Sequence, residues 1–288
     1  MANILITGAA GGIGQELVQR ALARSDTVVA VVRKAADASS FRPSPRLHVV
    51  AMDVSDTASV ERGFEEADQK LGEARLDAVV NAAALSIPGA IELTSVREFE
   101  QIFNTNTLGS LRVLKAALPR LRGHGGRLVL VTSLWGRASG PLLGAYCASK
   151  HAIESLADTA RRETAGMKVH IIVAEPGVVK TDMYTNQVAE TEGLIGEMSP
   201  AQNALYGALY RRYRKLVASS GGQAITAAQC AAGIEKALFA RRPRVRYRIG
   251  MDSRFVCFLA WLLPDRWMDA VMGGSLNNRP LPADYEKR

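Results

Sequence analysis

The sequence predicts an α/β protein with one doubly wound parallel sheet of about seven strands and helices on both faces. Three observations predict this fold. Short apolar runs alternate with helical stretches along the chain, as expected when parallel strands are joined by crossover helices. The apolar runs are continuous, which is typical of strands buried on both faces. No linker rich in Pro, Gly or Ser divides the 288 residues, so we expect a single domain over 1–288.

Seven strands and five helical stretches are predicted in alternation. The strands are expected at 3–7, 28–32, 46–52, 76–80, 126–132, 168–173 and 245–249. The helices are expected at 11–24, 56–71, 95–122, 144–165 and 226–240. Residues 1–180 are expected to form the cofactor-binding and catalytic core of the domain.

Two segments interrupt the alternation. Residues 182–220 follow the sixth predicted strand and are rich in Ala, Leu and Tyr. Insertions of this length often form lids with helices of their own, so a helical substrate lid is expected here. Residues 250–288 form a C-terminal extension in which Pro264, Pro280 and Pro282 interrupt any long helix.

Composition excludes several classes of protein. Three cysteines and four widely separated histidines predict neither a disulfide framework nor a local metal site. The longest apolar run, 255–263, is too short to cross a bilayer, which takes about 20 helical residues. Met1 leads directly into the first strand without a targeting segment. We therefore expect a cytoplasmic protein of a reducing compartment.

Positive charge is concentrated near the C-terminus. Residues 205–254 hold eleven Lys and Arg against two acidic residues, in a chain of net charge +8. A solvated helix face plus arginines flanking a strand explains this pattern. A membrane surface or another anionic partner is an alternative, because the apolar run 255–263 follows at once. No nucleic-acid-binding module is recognisable, so a nucleic-acid partner is not expected.

A glycine-rich turn, Thr7–Gly14, joins the first strand to the first helix. Glycine permits a tight turn and lets backbone N–H groups approach a pyrophosphate at the positive helix N-terminus. The turn occupies the first strand-to-helix junction, which is the context of a Rossmann-type dinucleotide site. The spacing is Gly-x-x-x-Gly-x-Gly, and a turn without a ligand is the alternative.

The end of the second strand favours NADP(H) over NAD(H). NAD sites usually place an acidic residue there to bind the ribose hydroxyls, whereas NADP sites offer a cation. Here the strand ends in Arg33 and Lys34 without a carboxylate. A guanidinium binds a 2′-phosphate in a bidentate manner. Solvated cations at a strand end are the alternative interpretation.

Tyr146 and Lys150 lie four residues apart on one face of a predicted helix. A nearby ammonium favours the phenolate, so we expect Lys150 to lower the pKa of Tyr146 and prepare it for general acid–base work. Ser133 ends the fifth predicted strand, at the sheet edge where open α/β sheets bind ligands. It could donate a hydrogen bond to a substrate oxygen, or be an ordinary turn serine.

Together these motifs resemble the short-chain dehydrogenase/reductase family over residues 3–182. Six motifs occur in the family's order: Thr7–Gly14, Asp53-Val54, Asn81–Ala84, Asn106, Ser133 with Tyr146 and Lys150, and Pro176–Thr181. Ala82 and Ala84 depart from the family's usual Asn-Asn-Ala-Gly.

The resemblance implies a catalytic tetrad and a set of cofactor contacts. Tyr146 would exchange a proton with the substrate oxygen, Ser133 would polarise that oxygen, and Lys150 would hold the nicotinamide ribose. Asn106 would position a water in the proton relay. The residues expected to bind the cofactor are Gly8, Gly12, Ile13, Gly14, Arg33, Lys34, Asp53, Val54, Asn81, Tyr146, Lys150, Pro176, Gly177, Val178 and Thr181.

The C-terminal third resembles the 17β-hydroxysteroid and retinol dehydrogenase branch of that family, through Arg241–Tyr247, Gly250 and Leu263–Arg266. This implies a large apolar carbonyl or alcohol substrate, with Trp135 and 141–143 lining its pocket or packing under the lid. We therefore expect an NADP(H)-dependent carbonyl reductase or alcohol dehydrogenase. An NADP(H)-binding sensor without turnover is the alternative. The family also implies a homodimer or homotetramer.

Overall fold

A parallel sheet forms the centre of the computed structural model, which describes residues 1–220 and 224–274. The strands of the described residues are β1 (Asn3–Thr7), β2 (Thr27–Val32), β3 (Leu47–Ala51), β4 (Ala78–Asn81), β5 (Gly126–Val131), β6 (Val169–Pro176), β7 (Val179–Lys180), β8 (Ile225–Thr226) and β9 (Arg246–Ile249). Seven of them form one sheet in the order β3-β2-β1-β4-β5-β6-β9, and every pair in it is parallel. The strand order reverses beside β1, which opens a crevice at the carboxyl edge between β1 and β4.

Helices cover both faces of this sheet. They are α1 (Gly12–Ala23), α2 (Thr57–Leu71), α3 (Val96–Phe103), α4 (Gly109–Leu121), α5 (Gly144–Glu163), α6 (Asp182–Glu197), α7 (Pro200–Gln202), α8 (Ala208–Ser220), α9 (Ala227–Phe239), α10 (Met251–Leu262) and α11 (Asp265–Gly274). Because side chains alternate along a strand, Leu5 packs with α2, α4 and α5, whereas Ile4 and Ile6 pack with α1 and α9. This two-sided burial explains the continuous apolar runs and confirms the predicted doubly wound sheet.

One predicted helix differs from the structure. The stretch 95–122 contains α3 and α4, joined by a π-helical turn at Asn104–Leu108. Such turns insert an extra residue into the helical ladder and frequently occur at functional sites. Here the turn carries Asn106, one of the predicted site residues.

The insertion at 182–220 forms the helical lid expected from the sequence. Helices α6 and α8 pack on each other, and their shared cluster buries Tyr210, Tyr213 and Val217. The backbone N–H of Ala90 donates to the Tyr210 hydroxyl at 2.8 Å, which ties the lid to the loop after β4. The strands β7 and β8 pair with each other at the base of the lid.

The C-terminal extension forms α10 and α11, and Pro264 lies between them as predicted. Pro280 and Pro282 lie outside the described residues. Helix α10 begins against the loop after β6, where the backbone N–H of Val178 donates to Asp252 at 2.6 Å and the Ser253 hydroxyl donates to the carbonyl of Glu175 at 2.6 Å. Within the described residues, no helix combines the length and apolarity needed to cross a bilayer.

Gly14 provides a test of the packing between β1 and α1. A Cβ at this position would lie 2.2 Å from the carbonyl oxygen of Gly8 and 2.7 Å from the Cα of Ala9. Both are backbone atoms, so they cannot move aside without opening the turn. We expect Gly14→Ala to destabilise the fold by about 3 kcal/mol, at the upper end of the cost of overpacking.

Denaturant unfolding measures this change, with Gly193→Ala in α6 as the control. A Cβ at Gly193 meets nothing within 4 Å. Because alanine is the better helix former, the control should be neutral or stabilising by up to about 1 kcal/mol. Equal stability of the two variants would contradict the packing described for Gly14.

Candidate active site

A cleft of about 600 Å³ opens at the carboxyl edge of β1, β2 and β4, at the point where the strand order reverses. It is long and partly polar, as a dinucleotide requires. The predicted cofactor residues that line it are Gly8, Gly12, Ile13, Gly14, Arg33, Asp53, Val54 and Thr181. Asp53 accepts hydrogen bonds from the backbone N–H and the hydroxyl of Ser55, so its carboxylate is held at the cleft wall.

Gly8 shows why this wall needs glycine. Its φ is +65°, a left-handed conformation that L side chains rarely adopt. A Cβ there would also lie 2.9 Å from the backbone N of Ala83, in the loop after β4. The turn thus brings two backbone segments together at the floor of the cleft, and the site fits a dinucleotide at the N-terminus of α1.

Two predicted cofactor residues, Lys34 and Asn81, line neither this cleft nor the apolar pocket beside it. Lys34 caps the 3-10 helix Ala35–Ser40 and is exposed. Asn81 is buried behind the wall, where its Oδ1 accepts from the Thr7 hydroxyl at 2.7 Å and its Nδ2 donates to Ser110 at 2.9 Å. Asn81 therefore holds β4 to β1 and α4.

Sequence reasoning missed several polar residues that line the cleft: Asp37, Ser55, Gln101 and Asn104. No motif marks them as cleft residues, because tertiary packing brings them there from three separate segments. Asp37 lies nearest in sequence to Arg33, and its carboxylate accepts from the backbone N–H of Lys34 at 3.3 Å.

The end of β5 and the first turns of α5 bring the predicted catalytic side chains together. Lys150 is 2% exposed, and its Nζ donates to the carbonyl of Val131 at 3.0 Å. The same Nζ lies 5.6 Å from the centre of the Tyr146 ring. Ser133 is buried beside them, with its hydroxyl 3.5 Å from the carbonyl of Pro176.

Burial changes the acid–base properties of this pair. It raises the pKa of Tyr146 to about 12, although a hydrogen bond with Ser133 acts in the opposite direction. Burial also lowers the pKa of Lys150 to about 8, against the attraction of Glu154. The expectation of a lowered Tyr146 pKa is therefore wrong for the net shift, because desolvation of the phenolate dominates. The phenol stays protonated at neutral pH, as a proton donor must.

Asn106 is fully buried in the π-helical turn between α3 and α4. Its Oδ1 accepts a hydrogen bond from the backbone N–H of Leu85 at 2.9 Å, and its Nδ2 donates to the carbonyl of Leu85 at 2.9 Å. The same Nδ2 also donates to the Ser149 hydroxyl at 3.0 Å. Ser149 in turn donates to the carbonyl of Tyr146 at 2.7 Å. Asn106 thus fixes the loop after β4 against the helix that carries Tyr146 and Lys150.

An apolar pocket of about 210 Å³ begins at this group and extends under the lid. Tyr146, Ser133 and Lys150 line its inner end, together with the predicted residues Pro176, Gly177, Val178 and Thr181. Its other walls are mainly apolar and aromatic: Trp135, Leu143, Met183, Tyr184, Tyr213, Leu216 and Val217. Of the loop residues expected to line it, Trp135 and Leu143 do so, whereas Leu142 packs in the core beneath the lid.

A charge network that contains two buried carboxylates, Glu154 and Glu175, lies beside α5. Arg246 on β9 bonds Glu154 at 3.0 Å and Asp158 at 2.9 Å, and it lies 3.5 Å from Glu175. Arg248 approaches the other oxygen of Glu175 at 3.3 Å. Burial raises the pKa of Glu175. These two arginines are among those expected to flank the last strand, and the structure pairs both with buried carboxylates.

Comparison with known proteins identifies the family. The model of the family described as "short chain dehydrogenase" matches residues 2–192. Retinol dehydrogenase 5 of Mus musculus is 31% identical over 94% of this chain and 87% of its own length. The NADPH-dependent 3-dehydrocapnine reductase of Ornithobacterium rhinotracheale is 27% identical over 94% of this chain and 96% of its own.

A solved structure agrees with these relatives. A short-chain dehydrogenase from Streptomyces avermitilis superimposes with a TM-score of 0.74 at 27% identity, and the match covers 95% of this chain and 94% of that one. The family model, the relatives and the shared fold all agree with the motif order in the sequence. The chain belongs to the short-chain dehydrogenase family, in its retinol/hydroxysteroid dehydrogenase branch, and is an oxidoreductase that acts on CH–OH groups.

Proposed function

We propose that this protein is an NADP(H)-dependent oxidoreductase that interconverts a carbonyl and an alcohol on a hydrophobic substrate. The observation that carries the proposal is the position of Tyr146 and Ser133 at the inner end of an apolar pocket, next to the dinucleotide cleft. A steroid-like, retinoid-like or aromatic ketone would place its carbonyl at the polar end and its apolar body under the lid. The similarity to retinol dehydrogenases supports this substrate class.

The side chains divide the reduction into three tasks. Bound NADPH would supply a hydride to the carbonyl carbon. As the C=O π bond breaks, Ser133 donates a hydrogen bond to the oxygen, and the Tyr146 phenol transfers its proton to that oxygen to give the alcohol. Lys150 holds the nicotinamide ribose and, as an ammonium, stabilises the phenolate that Tyr146 becomes. Alcohol oxidation runs through the same groups in reverse.

NADP(H) is the proposed cofactor because Arg33 faces the cleft at the end of β2. Its guanidinium is exposed and can bind a 2′-phosphate. The relative from Ornithobacterium rhinotracheale is NADPH-dependent, which supports the same choice. The pool of this cofactor is generally kept reduced, so we propose reduction as the working direction.

Tyr146→Phe tests the proton donor. Without the phenol, the alkoxide has no positioned acid, so we expect NADPH oxidation to fall at least about 100-fold while NADPH still binds. The assay follows cofactor oxidation against ketosteroids, retinal, aromatic ketones and small aldehydes. Tyr206→Phe on the lid is the control, since its hydroxyl bonds Glu92 away from the pocket. Turnover retained by Tyr146→Phe would contradict the mechanism.

A sensor that binds NADP(H) without turnover is the second candidate. Intact Tyr146, Lys150 and Ser133 argue against it, because a sensor has no use for a positioned proton donor. The same panel separates the two functions. NADPH binding with no turnover of any substrate would favour the sensor.

Arg33→Asp tests the cofactor choice by direct binding. A carboxylate in place of the guanidinium would repel a 2′-phosphate and accept hydrogen bonds from ribose hydroxyls, so NADPH should bind at least about tenfold more weakly. Nucleotide fluorescence titration with NADPH and NADH measures this. Lys34→Asp makes the same change in charge outside the cleft, where we expect less than about a threefold effect. Equal losses of NADPH affinity in both variants would contradict the proposal that Arg33 binds the 2′-phosphate.

A peripheral membrane contact is proposed for the outer face of α10 and α11. Met251, Phe255, Phe258 and Leu262 follow each other at helical spacing, and each is at least 47% exposed. Trp261 and Trp267 extend this apolar face, and Arg254 and Arg266 border it. A mixture of exposed aromatic and basic side chains fits an anionic lipid surface. The protein would thus be cytoplasmic and would take apolar substrate at the membrane.

Trp261→Glu tests this contact by co-sedimentation with vesicles. The native protein should bind phosphatidylcholine vesicles that contain phosphatidylserine, more weakly as salt rises, and the variant should lose most of that binding. Val96→Glu on α3 is the control, because Val96 is equally exposed at 75% but far from α10 in sequence. If the native protein does not bind these vesicles at low salt, the membrane contact is rejected. If the native protein is a dimer and Trp261→Glu makes it a monomer, the apolar face binds a second copy of this chain instead.

The homodimer or homotetramer stays a prediction. The helices that pair in the family are expected within 95–122 and 144–165, and two exposed large apolar side chains, Val96 and Leu108, lie in the first stretch. Sedimentation of the native protein measures the state directly.

A further inference from the structure

Two charged side chains on α5 are held by two consecutive residues, the last residue of β5 and the one after it. Lys150 donates to the carbonyl of Val131, and the Thr132 hydroxyl donates to Glu154 Oε1 at 2.7 Å. Lys150 and Glu154 are four residues apart, so they lie one turn apart on the same helix face. Lys150 is 2% exposed and Glu154 is 4% exposed. A buried cation and a buried anion therefore lie one helical turn apart, and both are anchored where β5 ends.

The second carboxylate oxygen of Glu154 also accepts a hydrogen bond. Arg246 donates to Glu154 Oε2 at 3.0 Å, while its other nitrogen donates to Asp158 at 2.9 Å. Glu175 on β6 faces the same guanidinium at 3.5 Å. Glu154 is thus fixed by bonds from two different strands, and three carboxylates surround Arg246.

We propose that Glu154 is a positioning residue that keeps Lys150 in its charged form for the reaction. Thr132 and Arg246 hold the Glu154 carboxylate in place, so its negative charge stays next to the ammonium. The inference deepens the proposed function, in which the Lys150 ammonium stabilises the phenolate of Tyr146.

The electrostatics of the site support this role. Burial lowers the pKa of Lys150 to about 8, and Glu154 is the charged group that raises it. From α5 the ammonium also faces Tyr146, and from β5 it meets Ser133 and the Val131 carbonyl. Glu154 itself faces Arg246 from β9 and Glu175 from β6.

The sign of the effect follows from these contacts. Lys150 is charged below its pKa and neutral above it. Removing the Glu154 carboxylate would lower the pKa further, so Lys150 would lose its charge at a lower pH. The alkaline limb of the reduction rate should then move to lower pH as well.

Glu154→Gln tests the proposal by a direct titration of Lys150. The protein is labelled with ¹³C-lysine, and the Lys150 Cε signal is assigned by its loss in Lys150→Arg. In Glu154→Gln the titration midpoint should fall by roughly one pH unit, the usual effect of losing a close opposite charge. Glu154→Asp keeps the charge and should restore most of the midpoint.

Asp158→Asn is the matched control. Asp158 lies on the same helix and bonds the same arginine, but it is eight residues from Lys150. The variant Asp158→Asn should leave the titration midpoint of Lys150 unchanged. An unchanged midpoint in Glu154→Gln, or an equal shift in Asp158→Asn, would overturn the proposal.

Two further measurements make the test independent of folding and of substrate. If Glu154→Gln does not fold, Thr132→Val is used instead, because it removes only the hydroxyl that donates to Glu154. In Thr132→Val the Lys150 titration midpoint should fall by less than in Glu154→Gln. An unchanged midpoint in Thr132→Val would overturn the proposal. Where a substrate is turned over, kcat/KM against pH should show the same shift. The titration itself needs no substrate, so failure of the proposed reaction would be recognised separately.

Discussion

The burial of one ammonium, that of Lys150, is the constraint on which the rest of the site depends. A lysine almost removed from water is costly unless polar partners replace its hydration. Here the Val131 carbonyl accepts a hydrogen bond from it, and the Glu154 carboxylate lies one helical turn away. These partners exist only if β5 and α5 pack in one register. The same register places Tyr146 and Ser133 together at the head of the pocket.

The fold separates the two binding tasks of the site. Cofactor-sized space lies where the strand order reverses, and its floor is made of backbone and glycine, as close approach to phosphates requires. The apolar pocket lies on the other side of Tyr146, and the lid has a hydrophobic cluster of its own. This cluster also includes Leu142, Leu143 and Cys147 at the start of α5, so the lid is packed directly against the helix that carries Tyr146 and Lys150.

Local pattern predicted much of the architecture and the main site residues. The alternation of strand-like and helical stretches predicted all seven strands of the sheet, and most of these strands show the continuous apolar run of burial on both faces, although β9 (Arg246–Ile249) does not. The Gly8–Gly14 turn predicted the cofactor cleft, and the spacing of Tyr146 and Lys150 predicted the acid–base group. Both could be found in the sequence because the geometry of each is set within a few residues. The π-helical turn at Asn104–Leu108 was not visible, since a single extra residue in a helix leaves the apolar pattern almost unchanged.

The sequence by itself determined the fold class, the glycine-rich turn and the spacing of Tyr146 and Lys150, because each depends on a local pattern. Tertiary structure alone decided the electrostatics. Desolvation, which no spacing reveals, raises the pKa of Tyr146 and lowers that of Lys150. Tertiary structure also decided that Arg246 bonds buried carboxylates whereas Lys34 is exposed to solvent. Both are cations near a strand, so only long-range packing distinguishes their surroundings.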